Sequence, residues 1–300
     1  MSVKKNLFLW LIVLIIIIFP STITAQITEA KPYKHLVLKG SDELYPSWSP
    51  SDSLIIFQSN KKGSFDLYIY RLKDDTVVQI TNTPYDEQHP VFFPKNPKLV
   101  AYDSDQTGER QLMFLNLNNR RQKPIVPRNI KGAFPSFSPS GNLITFLGYD
   151  KITEQLQIFT YDRVYDNLNR LTRSTNEQLF APHFSPDGKT ILFGTIKKTP
   201  PYEHRLMEIT WYGDTVGTID SLSADYYDWN QTGFRIIGYS EKKGAHYTIV
   251  SGRKDGSFNY RMFYDEHPKA SFAISHDGTK MAVAVQFQED YDLVIFHLTD

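Results

Sequence analysis

The sequence predicts an all-β fold, a propeller of six four-stranded antiparallel blades, and three observations carry that expectation. A short segment with an aromatic or apolar anchor before a turn recurs along the chain: "YPSWSPSDSLIIF" at Trp48, "HPVFFPKNPKLVAY" at Phe92, "FPSFSPSGNLITF" at Phe137, "APHFSPDGKTILF" at Phe184, "YDWNQTGFRIIGY" at Trp229 and "FAISHDGTKMAV" at Ile274. The anchors are 44, 45, 47, 45 and 45 residues apart, a period that belongs to arrays of one supersecondary unit. Helix-favouring runs are scarce, and Phe, Tyr and Thr stand in short clusters broken by Gly, Pro, Asn and Asp, as strands and tight turns require.

Each repeat reads as four strands. The anchor ends the first, and a Pro-Asp-Gly, Ser-Gly or Asp-Gly turn reverses the chain, proline fixing one dihedral and Gly or Asn accepting a positive one. The return strand is apolar, as at residues 54 to 57 and 191 to 193. A polar loop leads to a third strand, "DLYIYRL" at 66 to 72, "QLMFLNL" at 111 to 117, "LQIFTY" at 156 to 161 and "DLVIFHL" at 292 to 298. Leu67 and Ile69 alternate there with Tyr68 and Tyr70, so both faces of the sheet need protein cover. A weaker fourth strand follows, as in "TVVQIT" at 76 to 81. Sheets stacked on copies of themselves are propeller blades. The last repeat stops after its third strand, and "YKHLVLKG" at 33 to 40 supplies the missing one. An N-terminal strand is therefore expected to complete the last blade and close the ring.

The first 25 residues differ in kind. Lys4 and Lys5 precede an uncharged apolar run at 7 to 19, then Pro20 and "STITA", the order of a secretory signal peptide cleaved after Ala25. Thirteen helical residues reach about 20 Å, short of the roughly 30 Å hydrocarbon core; no stable span is expected after cleavage, and a retained N-terminal anchor is the alternative. The expected domains are a signal peptide at 1–25, a linker at 26–32 and one propeller at 33–300. The chain has no cysteine, which excludes disulfides, thiolate metal sites and a cysteine-linked lipid. Lys plus Arg and Asp plus Glu number 33 each, so no bulk charge points to nucleic acid.

Trp48-Ser-Pro-Ser-Asp, Phe137-Ser-Pro-Ser-Gly and Phe184-Ser-Pro-Asp-Gly, with strand endings such as Ile80-Thr81 and Leu171-Thr172, resemble the repeats of the TolB-type propellers. The resemblance covers about residues 33 to 300, the propeller only; the α/β domain that TolB carries before its propeller is not expected in the short stretch after Ala25. It implies an exported, protein-binding propeller, and some related propellers are sugar lyases with a histidine cluster around a metal.

The loops that lead from one blade into the next carry acids at Asp42, Glu43, Asp86, Glu87, Glu177, Asp225, Asp265 and Glu266, with Lys131 in the blade-three position. Loops between second and third strands carry Lys61, Lys62, Arg110, Lys151, Lys197, Lys198, Lys242 and Lys243. An acidic channel mouth within a basic zone is expected to dock a protein or peptide of the cell envelope, charge giving orientation and encounter rate. The candidate contacts are Glu43, Glu87, His89, Lys131, Glu177, Asp225, Glu266 and His267. His89, His183 and His267 are weak candidates for a metal, which would make the chain a metal-assisted carbohydrate enzyme at the channel mouth. No catalytic residue and no cofactor is expected: no Gly-x-Ser-x-Gly elbow occurs, and "DSDQTGE" at 103 to 109 has Phe114 where a calcium loop needs its bidentate glutamate. The expected product is a periplasmic or secreted monomer.

Overall fold

The computed structural model describes residues 31–126, 130–150, 154–219, 226–229, 235–243, 246–253 and 259–298. A leading strand, β1 (Lys31–Leu36), precedes a first sheet of β2 (Glu43–Trp48), β3 (Leu54–Ser59), β4 (Asp66–Arg71) and β5 (Thr76–Gln79). The second holds β6 (Glu87–Phe93), β7 (Asn96–Ser104), β8 (Gln111–Asn116) and β9 (Gln122–Pro124), and the third β10 (Gly132–Phe137), β11 (Leu143–Asp150), β12 (Gln155–Asp162) and β13 (Asn167–Arg170). The fourth holds β14 (Glu177–Phe184), β15 (Thr190–Lys197), β16 (His204–Thr210) and β17 (Thr215–Ile219), and the fifth β18 (Tyr226–Trp229), β19 (Arg235–Lys243), β20 (His246–Arg253) and β21 (Asn259–Asp265). In the last sheet β22 (Lys269–Ile274), β23 (Lys280–Phe287) and β24 (Asp290–His297) are joined by β1, which pairs with β24 through His35 opposite Val294 and Leu36 opposite Leu293. The first strands touch in sequence around the axis, from β2 through β6, β10, β14 and β18 to β22 and back to β2.

Six sheets form by hydrogen bonding, but the expectation of six blades of one design is corrected to five. In five first strands two residues stand opposite one on the second strand: Tyr45-Pro46, His89-Pro90, Phe134-Pro135, Ala181-Pro182 and Ala270-Ser271. These are β-bulges. Four of the pairs end in proline, which has no N–H to give the ladder, and the residue before it swings to positive φ: 52° at Tyr45, 50° at His89, 56° at Phe134 and 42° at Ala181. The fifth sheet has Tyr226-Tyr227 instead. Its register with β19 is unbroken from Tyr226 opposite Tyr239 to Trp229 opposite Ile236, because Tyr227 takes a ladder position that proline could not hold.

Packing follows the period of two along each strand. On β3, Ile55 and Phe57 face the last sheet, in a core with Trp48, Tyr68, Tyr70, Ala282, Leu293 and Ile295; Ile56 faces the second sheet, with Leu67, Phe92, Val100, Tyr102 and Leu115. Each such side chain stabilises the fold by about 1.5 to 3 kcal/mol through burial. Every blade therefore depends on both neighbours, and the closing strand adds Leu36 to the seam between first and last sheets.

The repeated serine has a defined task. Ser49, Ser138, Ser185 and Ser275 each accept, at Oγ, the N–H of the residue five positions on, at 2.9 to 3.1 Å. This closes the loop while the residue at its apex takes positive φ, as Asp52 does at 53° and Gly141 at 74°. Gly141 also lies beneath Phe93, whose ring would stand 2.5 Å from an added Cβ.

Candidate functional site

The bulges decide what faces the axis. Three of the positive-φ bulge residues, Tyr45, His89 and Phe134, converge around the axis from three consecutive blades, while Ala181 stays in the packing between blades and Phe134 also touches two of the cores. Ring centroids are 3.6 Å apart for His89 and Phe134, 4.4 Å for Tyr45 and His89, and 5.8 Å for Tyr45 and Phe134. Across the axis Tyr226 lies 6.1 Å from Tyr45 and 5.1 Å from Phe272. These edge-on and tilted contacts, favoured by the ring quadrupoles, form a layer of aromatic rings spanning the axis. His89 is oriented from behind. Its Nδ1 donates to Asp103 Oδ2 at 2.7 Å, and the same carboxylate accepts from Arg110 and from the Phe134 N–H at 3.2 Å.

A cavity of about 390 Å³ lies over these rings. Trp48, Phe92, Phe137, Phe184 and Trp229 form its wall, and the turn prolines Pro50, Pro94, Pro139 and Pro186 its rim. The cup therefore opens on the face of the turns between first and second strands, at the opposite end from the inter-blade loops. Among the described residues Asp228 is the one carboxylate that lines it, and no lysine or arginine does. His183 Nδ1 stands 3.8 Å from Asp228 Oδ1, with each side chain about a fifth exposed, at 22% and 21%. Burial away from water pushes the Asp228 carboxyl up to about 7, against N–H bonds from Trp229 and Ile274 that hold it down, and pushes His183 down to about 4. Burial likewise raises the Tyr45 and Tyr226 hydroxyls. The floor thus presents aromatic rings around one acid whose carboxyl burial holds well above the ordinary carboxylate range.

The residues named from the sequence fall in different places. His89 is in the aromatic layer and His183 in the cup. Glu43 and Glu87 are 0% and 2% exposed. Glu43 accepts from Ser41 and Ser59 hydroxyls at 2.7 and 3.0 Å and from the Leu38 N–H at 3.3 Å, and Glu87 accepts from Thr83 at 2.6 Å. Desolvation raises both carboxyls to about 7. Neighbouring Asp42 and Asp86 accept the Tyr291 and Phe65 N–H groups at 3.1 and 2.9 Å, so these loop acids tie blades together. Lys131 pairs with Glu109 and lies 5.3 Å from the Tyr149 ring centre. Glu177 is half-buried and Glu266 exposed, while His267 packs its ring 4.7 Å from Phe287. Asp225 lies outside the described residues.

His89, His183 and His267 each meet a different neighbour: Asp103, Asp228 and Phe287. Among the described residues no group of three or more His, Cys, Asp or Glu is placed to hold a metal ion. Sequence reasoning passed over Tyr45, Phe134, Tyr226 and Asp228. The signal that could have found Tyr45 and Phe134 is the residue before each first-strand proline, whose identity changes from copy to copy; Tyr226 and Asp228 stand in the one first strand of unbroken register, where the repeat carries no such mark.

The profile of a family described as the TolB beta propeller domain matches residues 22–228. A Tol-Pal system protein TolB of Francisella tularensis subsp. mediasiatica is 28% identical over 163 residues, 53% of this chain and 37% of that protein; the chain thus spans little more than a third of that relative's length. Among solved structures, a putative TolB from Agrobacterium tumefaciens superposes with a TM-score of 0.63 at 17% identity, covering 86% of this chain and 91% of that one. An oligogalacturonate lyase in complex with manganese superposes with a TM-score of 0.61 at 13% identity, covering 88% and 80%. At these identities the two structures show a shared fold.

Proposed function

Because the chain belongs to the TolB β-propeller domain family, we propose that it is an exported, non-enzymatic propeller that receives a protein or peptide partner in the cell envelope, and that the cup is where the partner docks. The observation that carries this reading is the cup's build. A cavity of about 390 Å³ with aromatic walls, a proline rim and polar groups from histidine, serine and Asp228 suits a side chain or short segment inserted from another chain, the arrangement in which aromatic-lined hollows with a few placed polar groups anchor an interface. Two further features support it. The leader at 1–25 has the order of an export signal, and among the described residues no helix is long and apolar enough to cross a membrane. The similarity to a Tol-Pal system protein fits an envelope setting.

Capture from envelope extract tests the reading with two variants. Pro186→Trp fills the rim of the cup, while Lys131→Glu alters the opposite end. Loss of the captured partner with Pro186→Trp and retention with Lys131→Glu is the expected result; the reverse would move the docking surface to the inter-blade loops. A metal-assisted carbohydrate lyase is the second reading, and its support is the shared fold with the lyase alone.

A further inference from the structure

We propose that Asp228 is the specificity-determining residue of the cup and that the group it receives is a cation, the lysine or arginine side chain of a partner peptide. The proposal rests on the docking reading above and names the chemistry of what docks. Across the repeats the position one residue before the anchor is occupied by Ser47, Val91, Ser136, His183, Asp228 and Ala273. Only Asp228 is an acid.

The fold uses this position for one bond between neighbouring blades. Ser47 Oγ accepts the Phe92 N–H at 3.5 Å and Ser136 Oγ accepts the Phe184 N–H at 3.1 Å, each the N–H of the next blade's anchor. Asp228 accepts the N–H of Ile274, the corresponding anchor, and also that of Trp229 at 2.8 Å. A neutral hydroxyl therefore suffices for the structural bond in two other blades, and the charge of Asp228 is surplus to it. That surplus is costly: a carboxylate withdrawn from water without a full ionic partner destabilises the fold, and His183, at 3.8 Å and held neutral by its own burial, does not supply one.

What the carboxylate lacks is on offer from a ligand. With two N–H groups accepted, part of its acceptor capacity remains; its side chain is 21% exposed and lines the cup. Among the described residues the lining around it has no lysine or arginine to compete. Tyr226 and Trp229 on either side of Asp228 in β18 line the same cavity, and aromatic faces attract a cation that an acid has drawn in. An anionic or purely apolar group would meet the carboxyl with nothing to offset its desolvation.

The test uses the indole N–H signals of the mature, nitrogen-labelled protein. Trp48 and Trp229 line the cup, and Trp211 lies outside it as an internal control. Three probes are titrated: acetyl-Pro-Arg-Pro-amide and its leucine and glutamate counterparts. The expected result is movement of the Trp48 and Trp229 signals with Trp211 unmoved, and a preference of about tenfold for the arginine peptide over the leucine one, the scale of one hydrogen-bonded charge. Asp228→Ser, which restores the hydroxyl found in blades one and three, keeps dispersed indole signals and loses the preference; Asp228→Glu, which keeps the charge, retains it. Equal binding of arginine and leucine peptides by the natural protein, or an arginine preference that survives Asp228→Ser, overturns the cation assignment and leaves the docking reading standing. No movement with any peptide, together with partner capture unaffected by Pro186→Trp, overturns both.

Discussion

Glu43→Gln should make the stability of this protein less dependent on pH, by an amount that follows from burial. The Glu43 carboxyl is fully enclosed, and its folded value rises from the ordinary 4.5 to about 7, chiefly because the charge loses water, with bonds from Ser41, Ser59 and Leu38 opposing the shift. A folded value above the unfolded one means that the group costs almost nothing below pH 4.5 and that the penalty grows as pH rises, reaching its full extent above pH 7. A rise of roughly 2.5 pH units at 1.36 kcal/mol each gives a penalty of about 3 kcal/mol between pH 4.5 and 8.5. Glutamine keeps the shape and the acceptor for Ser41 and Ser59 but has no proton to lose. It replaces the acceptor for Leu38 by an NH₂ group, a constant offset that pH does not change. Urea unfolding of both proteins at pH 4.5 and pH 8.5 measures the effect: the variant should gain about 3 kcal/mol relative to the natural protein as pH rises. A stability difference that is the same at both pH values would refute the argument, since it would mean that Glu43 ionises in the folded protein as freely as in water.

Three further outcomes follow from the packing. Asp103→Ala removes the acceptor shared by His89, Arg110 and the Phe134 N–H and should lower unfolding free energy by about 3 to 5 kcal/mol, read from the urea midpoint; a loss under about 1 kcal/mol would show that the three donors find water instead. Gly141→Ala should cost about 1 to 3 kcal/mol, because the new Cβ meets the Phe93 ring at 2.5 Å while φ is held at 74°; an unchanged thermal midpoint would mean that the ring swings aside freely. Deleting residues 31 to 37 bares the β24 edge that β1 covers and should produce association that increases with concentration in size-exclusion chromatography. A monodisperse variant with unchanged melting would show that the seam holds without its closing strand.

The strands and turns were legible because their signals are local. An aromatic anchor, a serine and a turn residue recur together, and each does its work within five residues, as the hydroxyl of Ser49 does for the N–H of Leu54. The closing strand was legible from the unfinished last repeat. What was not legible depends on direction. Glu43 and Glu87 stand in loops whose composition suggests solvent, but Ser41, Ser59 and Thr83 gather around their carboxyls and remove them from it. The absent bulge of the fifth sheet follows from a tyrosine where four other blades have proline, a difference that looked like erosion of the repeat. The cup escaped notice for a related reason: a pre-proline residue at positive φ points where neither strand alternation nor propensity predicts, so Tyr45 and Phe134 read as structural members of the motif, and Asp228 as a degenerate copy.

The bulged first strands divide labour within a span of four residues. In "YPSW" or "HPVF" the last residue belongs to the packing between blades and the first belongs to the axis. A codon change at position 45 can therefore recolour the hollow while the packing between blades is kept. Selection can tune what such a molecule captures one blade at a time, without renegotiating the scaffold.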